Sequence, residues 1–161
     1  MKDAGSIVSV DAGVSLDEQG RGLDWVHWLL RSVRQQCEGV VLERQASKMQ
    51  MHGRWRVFVR ERFERGLGSA LIEAWNTAAL RDAEGLVALE ARWRQLLSDE
   101  ECERSLLAGQ LLLKRTQGAR YQGALGHFRQ HVEDGRADGH IGIVWPALAH
   151  LFQLSPAIML S

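Results

Sequence analysis

Two histidines on one predicted helix are the first residues of this chain that could do chemistry. His127 and His131 are four positions apart, so on an α-helix their rings share a face and can reach one metal ion. No carboxylate stands at helical spacing on that face, and Glu133 and Asp134 follow too closely in sequence to complete a ligand set. We therefore interpret the two residues as surface histidines and predict no metal site. A small metal-dependent enzyme built on the pair is the alternative.

The acidic residues and the thiols form no catalytic pattern. Glu100, Glu101 and Glu103 crowd the start of one predicted helix, where the positive end of the helix dipole explains them. Cys102 falls on an apolar stripe, which predicts a buried and inert thiol. The sequence has no GxSxG, Walker-type glycine loop, HExxH or CxxC, and the glycines at 66 and 68 are typical of a helix end. The chain is therefore predicted not to be an enzyme and to bind no cofactor.

The bulk composition gives no electrostatic reason for binding nucleic acid or an anionic membrane. Lys and Arg total 20, Asp and Glu also total 20, and the formal net charge is zero. Cys37 and Cys102 are far apart without metal-type spacing, which is typical of reduced thiols in a cytosolic protein. No segment reaches the roughly 20 apolar residues that span a bilayer. We predict a soluble, cytoplasmic protein whose partners are proteins or small molecules.

The elements that position these residues are predicted to be helices throughout. Apolar residues recur at spacings of three and four over 23–37, and residues 54–65 fit either a strand or a helix, of which we favour the helix. An alanine- and leucine-rich helix over 69–80 is followed by Asp82, which can cap the next helix. Ser98, with a glutamate three residues later, forms a predicted capping box. The expected fold is all-α, a single domain of six or seven packed amphipathic helices over 1–161, with 1–22 flexible.

The last third of the chain continues this pattern. Gly118 is predicted to end one helix, and the next stripe follows over 119–133. A polar, glycine-containing loop then leads to an apolar helix beginning after His140, with its inward residues predicted at Val144, Ala147, Leu148 and Leu151. His140 is interpreted as a cap or loop contact. Ser155 and Pro156 are a helix-start signal, so 156–161 is predicted to open a further helix.

Three segments, in order, resemble the urease accessory protein F family, whose members are nickel-urease maturation factors. Residues 13–15 and 22–26 (GVS and GLDWV) are similar to a glycine–serine stretch leading into a helix, with six residues interposed here. Residues 74–115 are similar to the family's central pair of helices. Gly139-His140, followed by an apolar helix ending in Leu154-Ser155-Pro156, is similar to the family's passage of histidines, apolar helix and "GLP". Within 74–115 the matching positions are Glu100, Ser105, Gly109 and the leucines at 111, 112 and 113.

The resemblance implies a non-catalytic scaffold that assists nickel metallocentre assembly. Its partners would be other urease accessory proteins, including a nickel-carrying GTPase, and apo-urease; a homodimer is a further possibility. The family continues past residue 161, which implies a truncated or divergent member. We expect partner binding through His140, Trp145 and three C-terminal residues: Ile158, Met159 and Leu160. The alternative is a generic helical protein-interaction module unrelated to urease.

Overall fold

The computed structural model describes residues 48–116 and 123–160, together with the helical positions 28 and 31. Within the described ranges, six α-helices have ten residues or more: α1 (Lys48–Phe58), α2 (Gly68–Ala79), α3 (Ala83–Gln95), α4 (Asp99–Arg115), α5 (Ala124–Glu133) and α6 (Ile141–Leu151). A π-helical segment, Val59–Leu67, joins α1 to α2, and the short α7 (Pro156–Leu160) follows α6. The described ranges contain no strand, which confirms the all-α prediction.

Side chains and backbone together fix where the helices begin. Asp82 accepts from the backbone N–H of Gly85 at 2.8 Å, and α3 begins at the next residue. The predicted capping box is confirmed: Ser98 Oγ accepts from the Glu101 N–H, and a Glu101 carboxylate oxygen accepts from the Ser98 N–H at 2.8 Å. Each contact satisfies a backbone donor that the first helical turn leaves without a partner.

The apolar helix α6 is the centre of the domain. It packs against α2 and α4 most extensively and also against α3 and α5. Seven of its eleven residues are buried, as expected for a helix that is apolar on all sides. Leu151 is the exception to the predicted inward set, because its position at the carboxyl end leaves the side chain 37% exposed. A core of leucines, small residues and Phe128 surrounds α6.

Close approach of α6 to its neighbours depends on two glycines. A Cβ on Gly109 of α4 would lie 1.9 Å from the carbonyl oxygen of Gly139, just before α6 begins. A Cβ on Gly142 would lie 2.1 Å from the ring of Trp93 on α3. Both contacts are with atoms that cannot move away cheaply, so only glycine permits this packing distance.

The predicted helix over 54–65 is correct as far as Phe58, where α1 gives way to the π-helical segment. The backbone leaves helical geometry at Gly66 (φ 168°, ψ −38°), so the glycine pair does mark a helix boundary. Trp55 stacks on Phe58 with ring centroids 5.5 Å apart and is 60% exposed.

Several predictions fall on residues outside the described ranges. These are the stripe over 23–37 apart from positions 28 and 31, the flexible segment 1–22, the helix end at Gly118, and Cys37. Within the described chain, α4 ends at Arg115, and Thr116 Oγ1 donates to the Leu112 carbonyl at 2.8 Å. Among the helices described, none combines the length and the apolar character needed to cross a membrane.

Candidate functional site

A buried acidic side chain organises the turn before α6. Glu90 of α3 is 3% exposed and points its carboxylate at the segment Asp138–His140. One oxygen accepts from the backbone N–H of Asp138 at 2.6 Å, and the other accepts from those of Gly139 and His140 at 2.8 and 2.7 Å. The carboxylate therefore satisfies three successive donors and places a negative charge at the amino end of the central helix, where the dipole favours it.

His140 links this turn to α4. Its side chain is 1% exposed, and Nδ1 lies 3.2 Å from Ser105 Oγ. Trp93 of α3 donates its indole N–H to the same hydroxyl at 3.0 Å, and His140 Nε2 lies 3.9 Å from Cys102 Sγ. We call these five residues, Glu90, Trp93, Cys102, Ser105 and His140, the polar cluster.

Burial is the main cause that holds the pKa of His140 below its ordinary value, and Arg94 lowers it further. The negative charges of Glu90 and Asp138 act in the opposite direction but do not overcome burial. The imidazole is therefore neutral at pH 7, with one nitrogen a donor and the other an acceptor. A neutral ring can accept a proton or pass one between its two neighbours, Ser105 and Cys102.

The polar cluster was only partly visible in the sequence. His140 was expected as a cap or loop contact, and it is the residue immediately before α6 begins, although its side chain makes no capping hydrogen bond. Cys102 was expected to be buried, but its position near the start of α4 leaves it partly exposed. The sequence carries only a weak signal for Glu90, which follows Leu89 directly on the apolar face of α3.

The other predicted site residues lie at the carboxyl end, in a region that we call the C-terminal corner: Trp75, Trp145, Leu154 and α7. Trp75 donates its indole N–H to the Leu154 carbonyl at 2.9 Å, and Trp145 donates its own to the Met159 carbonyl at 3.3 Å. Ser155 Oγ accepts weakly from the Ile158 N–H at 3.4 Å, in line with the predicted helix start.

The predicted partner-binding residues thus divide into two places. Trp145, Ile158, Met159 and Leu160 come together at the C-terminal corner, whereas His140 lies in the polar cluster, immediately before α6 begins. Met159 is 5% exposed, so the predicted residues of this corner that reach solvent are Ile158, at 43%, and in part Trp145 and Leu160. Burial of His140 and Met159 means that neither can supply much contact area to a partner.

His127 and His131 do not converge on a metal site. His127 is exposed, whereas His131 contacts Arg136 through Nδ1 at 2.9 Å and Glu84 through Nε2 at 3.5 Å. Across residues 48–116 and 123–160, no three histidine, cysteine or carboxylate side chains are grouped so that they could hold an ion.

The comparisons with known proteins return no relative. No protein-family model matches the chain, and neither a curated protein nor a solved structure matches it significantly.

Two segments that carry the family resemblance do meet in the fold. Ser105 and Gly109 come from the central helix pair, and Gly139 and His140 come from the passage before the apolar helix. Ser105 contacts the His140 ring, and Gly109 allows α4 to approach the Gly139 carbonyl. Residues from two distant parts of the sequence therefore form one contact between α4 and the start of α6.

Proposed function

We propose that this chain is a non-catalytic protein-interaction scaffold that acts as a urease accessory protein. It would join other accessory proteins, including a nickel-carrying GTPase, on apo-urease so that nickel can be inserted. The resemblance in sequence supplies the urease assignment. Ser105, Gly109, Gly139 and His140 come from two of the segments that carry the resemblance, and their meeting in one helix contact supports the proposal because it gives these positions a common structural role.

The observation that carries the scaffold role is the C-terminal corner. Two tryptophans use their N–H groups to hold the backbone around α7, while their rings form part of a small apolar cluster with Leu154 and Met159. This arrangement fixes Ile158 with its side chain 43% exposed. A rigid, partly exposed tryptophan beside an exposed aliphatic side chain is typical of the anchors that dominate protein interfaces.

Co-expression tests the proposal. The tagged chain is produced together with apo-urease, the GTPase and a second accessory protein. The complex is purified through the tag, and its molecular mass shows which partners it contains. We expect the wild-type chain to retain these partners, and Ile158→Asp to lose them while keeping its melting temperature, because that side chain is already exposed. Trp145→Ala should weaken the complex more than it weakens the fold.

A matched tryptophan serves as the control. Trp55 is 60% exposed on α1, and Trp55→Ala removes an equally large side chain without touching the C-terminal corner. Equal retention of partners by Trp55→Ala, Trp145→Ala and Ile158→Asp would reject this corner as the docking surface. A wild-type chain that retains none of the urease components would reject the urease assignment and leave the generic interaction module.

A further inference from the structure

The polar cluster contains a thiol paired with a buried base. Cys102 is a free, partly exposed cysteine, and its Sγ lies 3.9 Å from His140 Nε2. Among the described residues, this sulfur is the only hydrogen-bond partner of Nε2, although the imidazole is 1% exposed. A buried base directed at one partly exposed thiol can take the thiol proton as the sulfur attacks an electrophile.

Two further residues can set the tautomer of that base. The indole of Trp93 can only donate, so Ser105 Oγ is the acceptor in their 3.0 Å hydrogen bond. The hydroxyl keeps a second lone pair, which can accept Nδ1–H of His140 at 3.2 Å. With the proton on Nδ1, the lone pair of Nε2 faces the thiol. Nucleophile, base and orienting group thus stand in the order Cys102, His140, Ser105.

We propose that Cys102 is a covalent modification site that exchanges with low-molecular-weight disulfides carrying amino groups. The thiol proton passes to His140 Nε2, and Sγ attacks one sulfur of the disulfide. A bond forms between Sγ and that sulfur while the disulfide bond breaks. The departing thiolate takes the proton back from the imidazolium, so the products are a mixed disulfide on Cys102, a free aminothiol and neutral His140.

Charge around the thiol selects the amino-bearing class. Four carboxylates lie within three positions of Cys102, and two arginines pair with two of them: Arg62 with Glu101, and Arg104 with Glu100. Asp99 and Glu103 are exposed. This net negative surface attracts a cationic disulfide and repels an anionic one such as oxidised glutathione, with a salt dependence typical of exposed charges.

The test measures thiol consumption in full-length protein with Cys37→Ser, so that Cys102 is the one remaining cysteine. Cystamine is the cationic probe and 3,3′-dithiodipropionate the anionic one. Each rate on the folded chain is divided by the rate on the same chain unfolded in urea, which cancels the intrinsic reactivity of the probe. We expect a folded-to-unfolded ratio of roughly ten or more for cystamine, on the scale of general-base assistance, and a several-fold smaller ratio for the anionic probe. Mass spectrometry should locate the adduct on Cys102.

Variants identify the base. His140→Gln should lower the cystamine rate roughly tenfold while circular dichroism shows a folded chain. Ser105→Ala removes the group that orients His140 but keeps the imidazole, and it should also lower the cystamine rate. If His140→Gln fails to fold, this variant alone tests whether His140 acts as the base. Glu103→Gln should reduce the preference for cystamine without changing the neutral-probe rate with 2-hydroxyethyl disulfide.

Three results would overturn the proposal. The first is a folded Cys102 that reacts with cystamine no faster than the unfolded chain. The second is a larger folded-to-unfolded ratio for the anionic probe than for cystamine. The third is a rate unaffected by Ser105→Ala or by a folded His140→Gln. None of these depends on urease partners, so the proposal stands or falls separately from the scaffold function.

Discussion

Replacing the buried carboxylate of Glu90 by an amide tests whether one side chain holds the start of the central helix. The carboxylate accepts three backbone N–H groups at 2.6 to 2.8 Å, from Asp138, Gly139 and His140. In Glu90→Gln, a carbonyl oxygen can keep at most the two bonds of one carboxylate oxygen. The amide NH₂ then faces the third donor. That lost bond costs about 1 to 3 kcal/mol, and the two retained bonds lose charge assistance worth about 1 kcal/mol each.

These losses lower the free energy of unfolding by about 3 to 5 kcal/mol. The neutral amide offsets part of the loss, because burying it costs less than burying a charged carboxylate. We expect about 3 kcal/mol net, equivalent to a fall of about 6 to 12 °C in melting temperature for a chain of this size. Urea denaturation followed by circular dichroism measures the change. Glu103→Gln is the matched control, because Glu103 is exposed on α4 and its loss should cost about 0.5 kcal/mol or less. Equal losses in the two variants would refute the capping role assigned to Glu90.

Two further predictions concern packing and pH. Gly109→Ala should destabilise the fold by about 3 kcal/mol or more in urea titration, because the new Cβ would lie 1.9 Å from the Gly139 carbonyl oxygen. Gly53→Ala, with open space around it, should be neutral or stabilising by about 0.5 to 1 kcal/mol; similar effects in both would contradict the close contact. Burial, and secondly the positive charge of Arg81, hold the pKa of His150 below its ordinary value of 6.5. The neutral imidazole therefore contributes its full stability above pH 6.5, and this contribution is lost as the pH falls through the lower pKa of the folded state. His150→Gln should therefore flatten the fall in urea midpoint between about pH 7 and pH 5, and an unchanged pH dependence would count against this reasoning.

Local signals were sufficient for the helix starts. Asp82 and Ser98 were assigned as caps from residue type and spacing alone, and both make the expected hydrogen bonds. A cap acts on the backbone within three residues, so everything it needs is present in the local sequence. The helical class follows for the same reason, because the apolar period is a property of each segment taken singly.

Exposure at helix ends could not be read from that period. Leu151 and Trp55 both fall on apolar patterns, yet they are 37% and 60% exposed. A periodic stripe says which face is apolar but not whether a neighbouring helix extends far enough to cover it. Cys102 is partly exposed for the same reason, since it lies close to the first residue of α4 and no neighbouring helix covers it completely.

By itself, then, the sequence determined the helices, their caps and the absence of recognisable enzyme motifs, because each depends on residues a few positions apart. Only the tertiary structure decided that Glu90 reaches 50 positions along the chain to the N–H of His140, and that Cys102 and Ser105 face the same imidazole. These contacts join α3, α4 and α6 at one point. No spacing along a single helix encodes them, because they arise only when glycine positions let the helix axes approach.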